Sequence, residues 1–216
     1  MNKLSELKSY QSLYDFDLIA LTETWLVEDV SDCELSLPGM HVLRHDRPSR
    51  GGGVLIYYRQ NFICSVLCGS YLSCTDILWC QLQLHGKDRL LIGVIYRPPN
   101  SSCERDYFIL ESIREALSLR FSHVLIVGDF NSPSMFFNSA SVDPFTSEMQ
   151  EIICTHPLYN HTFQPTRFRF PSIPSLLDLI LSNEELMIEN VIYCPPLGKS
   201  DHALLCFHFV CYAFLL

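Results

Sequence analysis

The stretch that most constrains the fold is residues 123–134, His-Val-Leu-Ile-Val-Gly-Asp-Phe-Asn-Ser-Pro-Ser. Val124 to Val127 is an unbroken apolar, largely β-branched run, the pattern of a strand buried on both faces. Gly128 then lets the backbone turn tightly. Asp129 and Asn131 follow two residues apart, so in extended geometry their side chains share one side while Phe130 faces the other. Ser132 and Pro133 stop the strand. A buried strand that carries a carboxylate and an amide to its C-terminal end is a candidate site for a hard cation and an oxyanion. The same residues would also serve as simple turn caps. What favours a site is that Glu23, Tyr96, Asp178 and Ser200-Asp201-His202 also fall at the ends of predicted strands.

A chain of 216 residues fits one domain with a sizeable core. It is 48% hydrophobic and only 18% charged, which excludes a disordered chain. The net charge of −9 argues against a basic protein that coats nucleic acid. It leaves room for an enzyme that meets phosphates through a bound divalent cation. Ten cysteines contain no Cys-x-x-Cys pair, and Cys64, Cys80, Cys206 and Cys211 sit within apolar segments. The expectation is a reducing, intracellular compartment (nucleus or cytoplasm), no disulfide-linked partner and no structural zinc. Ala203 to Leu216 is too short to span a bilayer, so a membrane is not expected as partner.

In chain order, residues 2–14 carry leucines near helical spacing and predict a short amphipathic helix. Leu18–Leu21 reads as a buried strand, with Glu23 leaving it. A lone Glu there is by default a solvated carboxylate. Residues 28–40 read as a polar loop. Arg44 to Arg50 reads as a basic loop ahead of Gly51-Gly52-Gly53, able to meet phosphates or to lie in solvent. Val54–Tyr58, Ile77–Leu84 and Leu90–Tyr96 read as strands, the last leaving through Arg97-Pro98-Pro99-Asn100. A helix is predicted over 103–118, a loop with a short helix over 134–150, and strands over 158–163, 175–181, 188–193 and 203–210. Asp178 lies within the sequence Leu-Leu-Asp-Leu-Ile and requires a partner if buried. Strands outnumber helices, which predicts a layered α+β domain with two packed sheets.

Six segments then occur in a recognisable order: Leu-Thr-Glu-Thr-Trp-Leu at 21–26, Arg-Gly-Gly-Gly-Val at 50–54, Ile-Tyr-Arg-Pro-Pro at 95–99, Val-Gly-Asp-Phe-Asn at 127–131, Leu-Asp-Leu at 177–179 and Ser-Asp-His at 200–202. Together they resemble the endonuclease/exonuclease/phosphatase superfamily, and within it the apurinic-type endonuclease domain of non-LTR (LINE-like) retrotransposons. The resemblance covers residues 3–209. It implies a four-layer α/β sandwich of two mainly antiparallel sheets flanked by helices, with residues 1–209 as the domain and 210–216 as an apolar tail. It implies Mg²⁺-dependent hydrolysis of phosphodiester bonds, Mn²⁺ being an alternative ion, with DNA nicked as substrate and partner.

By match to the family motifs, Glu23 binds the metal and Asp201 assists. Asp129 orients or deprotonates the attacking water. His202 donates to the phosphate while Asp178 fixes its ring, and Tyr96, Asn131, Arg97 and Asn100 contact the phosphate. Mg²⁺ takes oxygen ligands, usually one or two carboxylates plus water and phosphate, so Glu23 with Asp201 suffices. The family's first strand, which carries a metal-assisting Asn, has no counterpart ahead of the first helix. The expectation is therefore an N-terminally truncated, retrotransposon-derived domain of weak or no activity. The alternatives are a phosphatase or phosphodiesterase of the same superfamily, or a catalytically dead remnant. Oligomeric state has no signal in the sequence.

Overall fold

The computed structural model describes residues 3–48, 50–136 and 142–210. In chain order these form α1 (Leu4–Tyr14), β1 (Leu18–Thr22), β2 (Met40–His45), β3 (Val54–Arg59), β4 (Cys64–Val66), β5 (Ile77–Gln83), β6 (Arg89–Tyr96), α2 (Cys103–Ser118), β7 (His123–Asp129), α3 (Pro144–Thr155), β8 (Tyr159–Asn160), β9 (Asp178–Ser182), β10 (Ile188–Cys194) and β11 (Leu204–Phe209).

One sheet has six strands in the order β4-β5-β6-β7-β9-β8. Only β6 and β7 run parallel, and α2 makes the crossover between them. Pro98 and Pro99 cannot continue the β6 ladder, and Ser102 then caps α2 by accepting the Arg105 N–H. The opposing layer consists of a three-stranded sheet, β1-β3-β2, and the β10-β11 hairpin. The two pieces are not hydrogen-bonded to each other: β1 pairs with β3, and β11 with β10.

Three buried clusters show the layering. Leu7 of α1 packs with Ile19, Leu55 and Tyr57 on the outer face of the smaller sheet. Val54 and Ile56 meet Leu78, Ile92, Leu125 and Ile180 between the two sheets, with Leu205, Phe207 and Phe209 of β11 against them. Ile109, Ile113 and Ala116 of α2 and Phe145, Met149 and Ile152 of α3 cover the far face of the six-stranded sheet. Helix, sheet, sheet and helices make four layers, as the α+β expectation required.

The differences from the sequence reading are local. The stretch read as a polar loop and then a basic loop contains β2, whose Arg44 and His45 are strand residues. The short helix expected within 134–150 is the longer α3, which starts at Pro144 behind its cap Asp143 and runs on to Thr155. The strand expected over 158–163 is only Tyr159–Asn160. The strand expected over 175–181 begins only at Asp178, which puts that residue at the strand's end. No helix of the described residues is long and apolar enough to cross a membrane, and they contain no disulfide. The apolar tail expected at 210–216 lies, beyond Val210, outside the described residues.

Candidate active site

Strand register brings the chemistry together. Parallel pairing of β6 and β7 sets Tyr96 opposite Asp129, and antiparallel pairing of β7 and β9 sets Asp129 opposite Asp178. The three residues thus form a row across one end of the six-stranded sheet. His202 arrives from the other layer, just before β11. It is bridged to Arg167, which also pairs with Ser175 ahead of β9.

The row is tightly bonded. His202 Nδ1 lies 2.8 Å from Asp178 Oδ2, and its Nε2 lies 4.0 Å from Asp129 Oδ2. Asp129 is 3% exposed. Its Oδ1 accepts the Asn131 N–H at 3.0 Å and its Oδ2 accepts the Asn131 Nδ2–H at 2.8 Å. The same Nδ2 donates to the Arg97 carbonyl at 2.8 Å. Asn131 adopts φ +44°, a left-handed conformation that Asn tolerates better than most residues. Its amide therefore holds the Asp129 carboxylate as the backbone leaves β7. Tyr96 donates its hydroxyl hydrogen bond to Glu23 Oε1, which ties the loop after β1 to the row.

Burial pushes the Asp129 carboxyl up to about 8, and the neighbouring Asp178 charge adds to the effect. Burial alone would lower the His202 pKa. The Asp178 hydrogen bond and charge outweigh it, so the ring stays protonated above its ordinary range. Tyr96 is raised by burial and by Glu23, so its phenol remains a donor.

Other expected site residues are placed differently. Asp201 is paired with Arg167 at 3.0 Å, which lowers its pKa against the effect of its partial burial. It stands outside the cluster formed by Asp129, Asp178 and His202. Arg97, expected on the phosphate, turns inward. It makes a two-toothed pair with Asp106 (2.7 and 2.9 Å), donates to the Asn131 carbonyl at 3.1 Å and lies over the Phe145 ring. Asn100 is exposed in the turn after Pro99.

Two residues that hold the site were not singled out in the sequence. Thr166, fully buried, accepts the N–H groups of Leu177 and Asp178 on Oγ1 and so fixes the start of β9. Asp76, 1% exposed, binds Arg47 at 2.8 Å and accepts the Gly53 N–H at 2.7 Å, while its carbonyl accepts the Tyr96 N–H. Each looks like an ordinary turn residue in the sequence, and only the three-dimensional fold reveals the partners.

The carboxylates of the row suit a hard divalent cation. Ligand atoms of Asp129 and Asp178 lie within 4.8 Å of one another beside His202, and two carboxylates side by side in a protected place attract positive charge.

Comparison with known proteins bears on the family and the fold. The endonuclease-reverse transcriptase family matches residues 90–206, more than half of the chain. A comparison with curated proteins found no match. Among solved structures, the chain resembles the endonuclease domain of TRAS1, a telomere-specific non-LTR retrotransposon. That match has a TM-score of 0.76 at 15% identity, over 97% of this chain and 93% of that one. It also resembles the 3′ phosphatase NExo from Neisseria bound to a product DNA hairpin, with a TM-score of 0.71 at 15% identity, over 96% and 94% of the two chains. An AP endonuclease from Archaeoglobus fulgidus gives 0.67 at 16% identity, over 95% and 93%. At such identities the structural likeness establishes the shared fold, and the sequence match within it establishes kinship. The chain belongs to the endonuclease-reverse transcriptase family of the endonuclease/exonuclease/phosphatase superfamily.

Proposed function

We propose that this chain is a divalent-metal-dependent endonuclease that hydrolyses phosphodiester bonds in DNA, as in a retrotransposon's nicking domain, with Mg²⁺ as the ion. The observation that carries the reading is the convergence of Asp129, Asp178 and His202 at one sheet end, with Glu23 joined to them through Tyr96. A hydrolytic site for a phosphodiester needs three things: a carboxylate to direct water, a cationic donor for the phosphate oxygens, and counter-charge for the transition state.

Each has a candidate. Asp129 directs and deprotonates the water, its carboxylate oriented by both nitrogens of Asn131. His202 donates from Nε2 to a phosphate oxygen, and Asp178 on Nδ1 fixes the ring and favours its charged form. Glu23 holds the cation, together with the carboxylates of the row, and Tyr96 holds Glu23. When bound, the cation supplies charge stabilisation at the phosphate and lowers the pKa of nearby acidic groups, Asp129 included. Arg97 and Asn131 act by positioning the exit of β7, Asp201 by fixing Arg167 beside His202.

Conversion of supercoiled plasmid to open circles tests the reading. Nicking is expected with Mg²⁺, is abolished by EDTA, and falls at least about 100-fold in Asp129→Ala. Nicking that survives in Asp129→Ala, or none by the wild type in Mg²⁺ or Mn²⁺, overturns it.

A further inference from the structure

The chain has two tryptophans, and their surroundings are opposite. Trp79 is fully buried against Gly93 and donates its indole N–H to Ser112 Oγ at 2.8 Å. Trp25 is 52% exposed, two residues beyond Glu23. Both Glu23 (φ +52°) and Trp25 (φ +54°) are left-handed, a conformation that bulky side chains avoid. Burial of the indole does not explain it, since the ring remains in solvent. The backbone is held there from outside. Thr24 N–H donates to the Gly53 carbonyl at 3.3 Å, Trp25 N–H donates to the Gly52 carbonyl at 2.9 Å, and Leu26 is anchored in the core. Strain of this kind, imposed by neighbours at a half-exposed aromatic, is characteristic of ligand contacts.

The glycines connect the ring to the site. Gly53 donates to Asp76, whose carbonyl accepts the Tyr96 N–H, and Tyr96 in turn binds Glu23. Trp25 is therefore braced on the same hydrogen-bonded frame as Glu23. The three arginines just before the glycines have different uses. Arg44 pairs with Asp32 and Asp46, and Arg47 pairs with Asp76. The exposed Arg50 instead sets its guanidinium 5.5 Å from the centre of the Trp25 ring. A half-exposed indole with an exposed cation over its ring matches a ligand with a flat π-face on an anionic backbone, the base meeting the indole once Arg50 swings to the phosphate.

We infer that Trp25 and Arg50 form a nucleobase-stacking platform, on which a base next to the bond being cut lies against the indole while Arg50 meets the adjoining phosphate. The inference rests on the endonuclease reading and names a contact by which that site engages DNA. Because Trp79 is sealed in the core, quenching by added DNA reports on Trp25 alone.

The test titrates the protein with a fluorescein-labelled oligonucleotide in EDTA, reading label anisotropy, and with the unlabelled oligonucleotide, reading tryptophan emission. Both single-stranded and duplex forms are used. Binding is expected to quench wild-type emission. Trp25→Phe keeps a stacking face and binds within a few-fold of wild type without the quench. Trp25→Leu keeps bulk but no π-face and weakens binding about 10-fold. Anisotropy that rises while the wild-type emission stays constant overturns the platform and leaves the endonuclease reading standing. Trp25→Leu binding as tightly as wild type does the same. No anisotropy change with either form of DNA, in EDTA or with Ca²⁺ replacing the EDTA to restore a divalent cation, overturns both.

Discussion

Asp129 shows how much a single residue can depend on context. Its spacing from Asn131 is legible in the sequence, because a period of two puts both side chains on one side of a strand. Its protonation is not, since that depends on Asp178, nearly fifty residues later, and on burial under side chains from several elements. The raised pKa has a consequence for stability. A carboxyl that titrates near 8 folded and near 3.9 unfolded binds its proton more tightly in the native state. Its contribution is present below about pH 4 and is lost as pH rises towards about 8. His202, also raised, loses its contribution in the same direction as pH climbs past the ordinary histidine range. In EDTA the melting temperature of the wild type should therefore fall between pH 5 and pH 8 relative to Asp129→Asn, which has no proton to lose. The expected difference is on the order of a few kcal/mol. Adding Mg²⁺ at pH 8 should close most of the gap, and parallel curves for the two proteins would contradict the argument. At the next residue in the row, Asp178→Asn should leave the fold intact but cut nicking about 10–100-fold, measured as initial rate, because the ring of His202 loses the anion that orients it.

At the scale of elements, the strands that carry the site were the readable ones. β3, β6 and β7 are continuous apolar runs ended by Gly, Pro or polar residues, and α2 shows a clear apolar stripe. β2 was hidden because His41, Arg44 and His45 interrupt its apolar residues, and only pairing with β3 makes it a strand. α3 was legible only as a short helix, because the polar segment ahead of it masks where it starts. Its start depends on Asp143, which accepts the Thr146 N–H at 3.2 Å and the Thr146 hydroxyl, with Pro144 at the first turn. Partial burial would raise the Asp143 pKa, but the bonds from Thr146 outweigh it and leave it lowered. The cap's charged contribution is therefore present above the unfolded carboxyl range and lost as pH falls below about 4. Asp143→Ala should cost about 1 kcal/mol in urea unfolding at pH 7. The difference from wild type should shrink when the measurement is repeated near pH 3. A gap that stays constant with pH would mean that the cap acts without its charge.

For the molecule as a whole, the site exists only because two layers meet. Tyr96, Asp129 and Asp178 belong to the six-stranded sheet, Glu23 follows a strand of the opposing layer, and His202 precedes β11. Sequence order could name these residues but could not say that Asn131 and Arg97 would turn to the task of holding β7 and its exit loop. The parallel seam between β6 and β7 is where that assembly is most exposed to error. Gly128, at φ +147°, lies in this seam one residue before Asp129, and a Cβ there would overlap the carbonyl oxygen of Ile95 and crowd that residue's carbonyl carbon and nitrogen. Backbone in a central ladder cannot move aside as a flexible side chain can, so the two strands would have to part where Tyr96 faces Asp129. Gly128→Ala should therefore destabilise by about 4 kcal/mol or more, or prevent folding. Gly86 is the matched control: it is also left-handed, at φ +69°, but a Cβ there meets nothing within 4 Å. Gly86→Ala should cost only the conformational penalty, about 1–2 kcal/mol. Chemical denaturation of the two variants separates the explanations. Equal losses would trace the cost to backbone conformation alone, whereas a much larger loss at Gly128 locates it in the close approach of β6 and β7 on which the row of Tyr96, Asp129 and Asp178 is built.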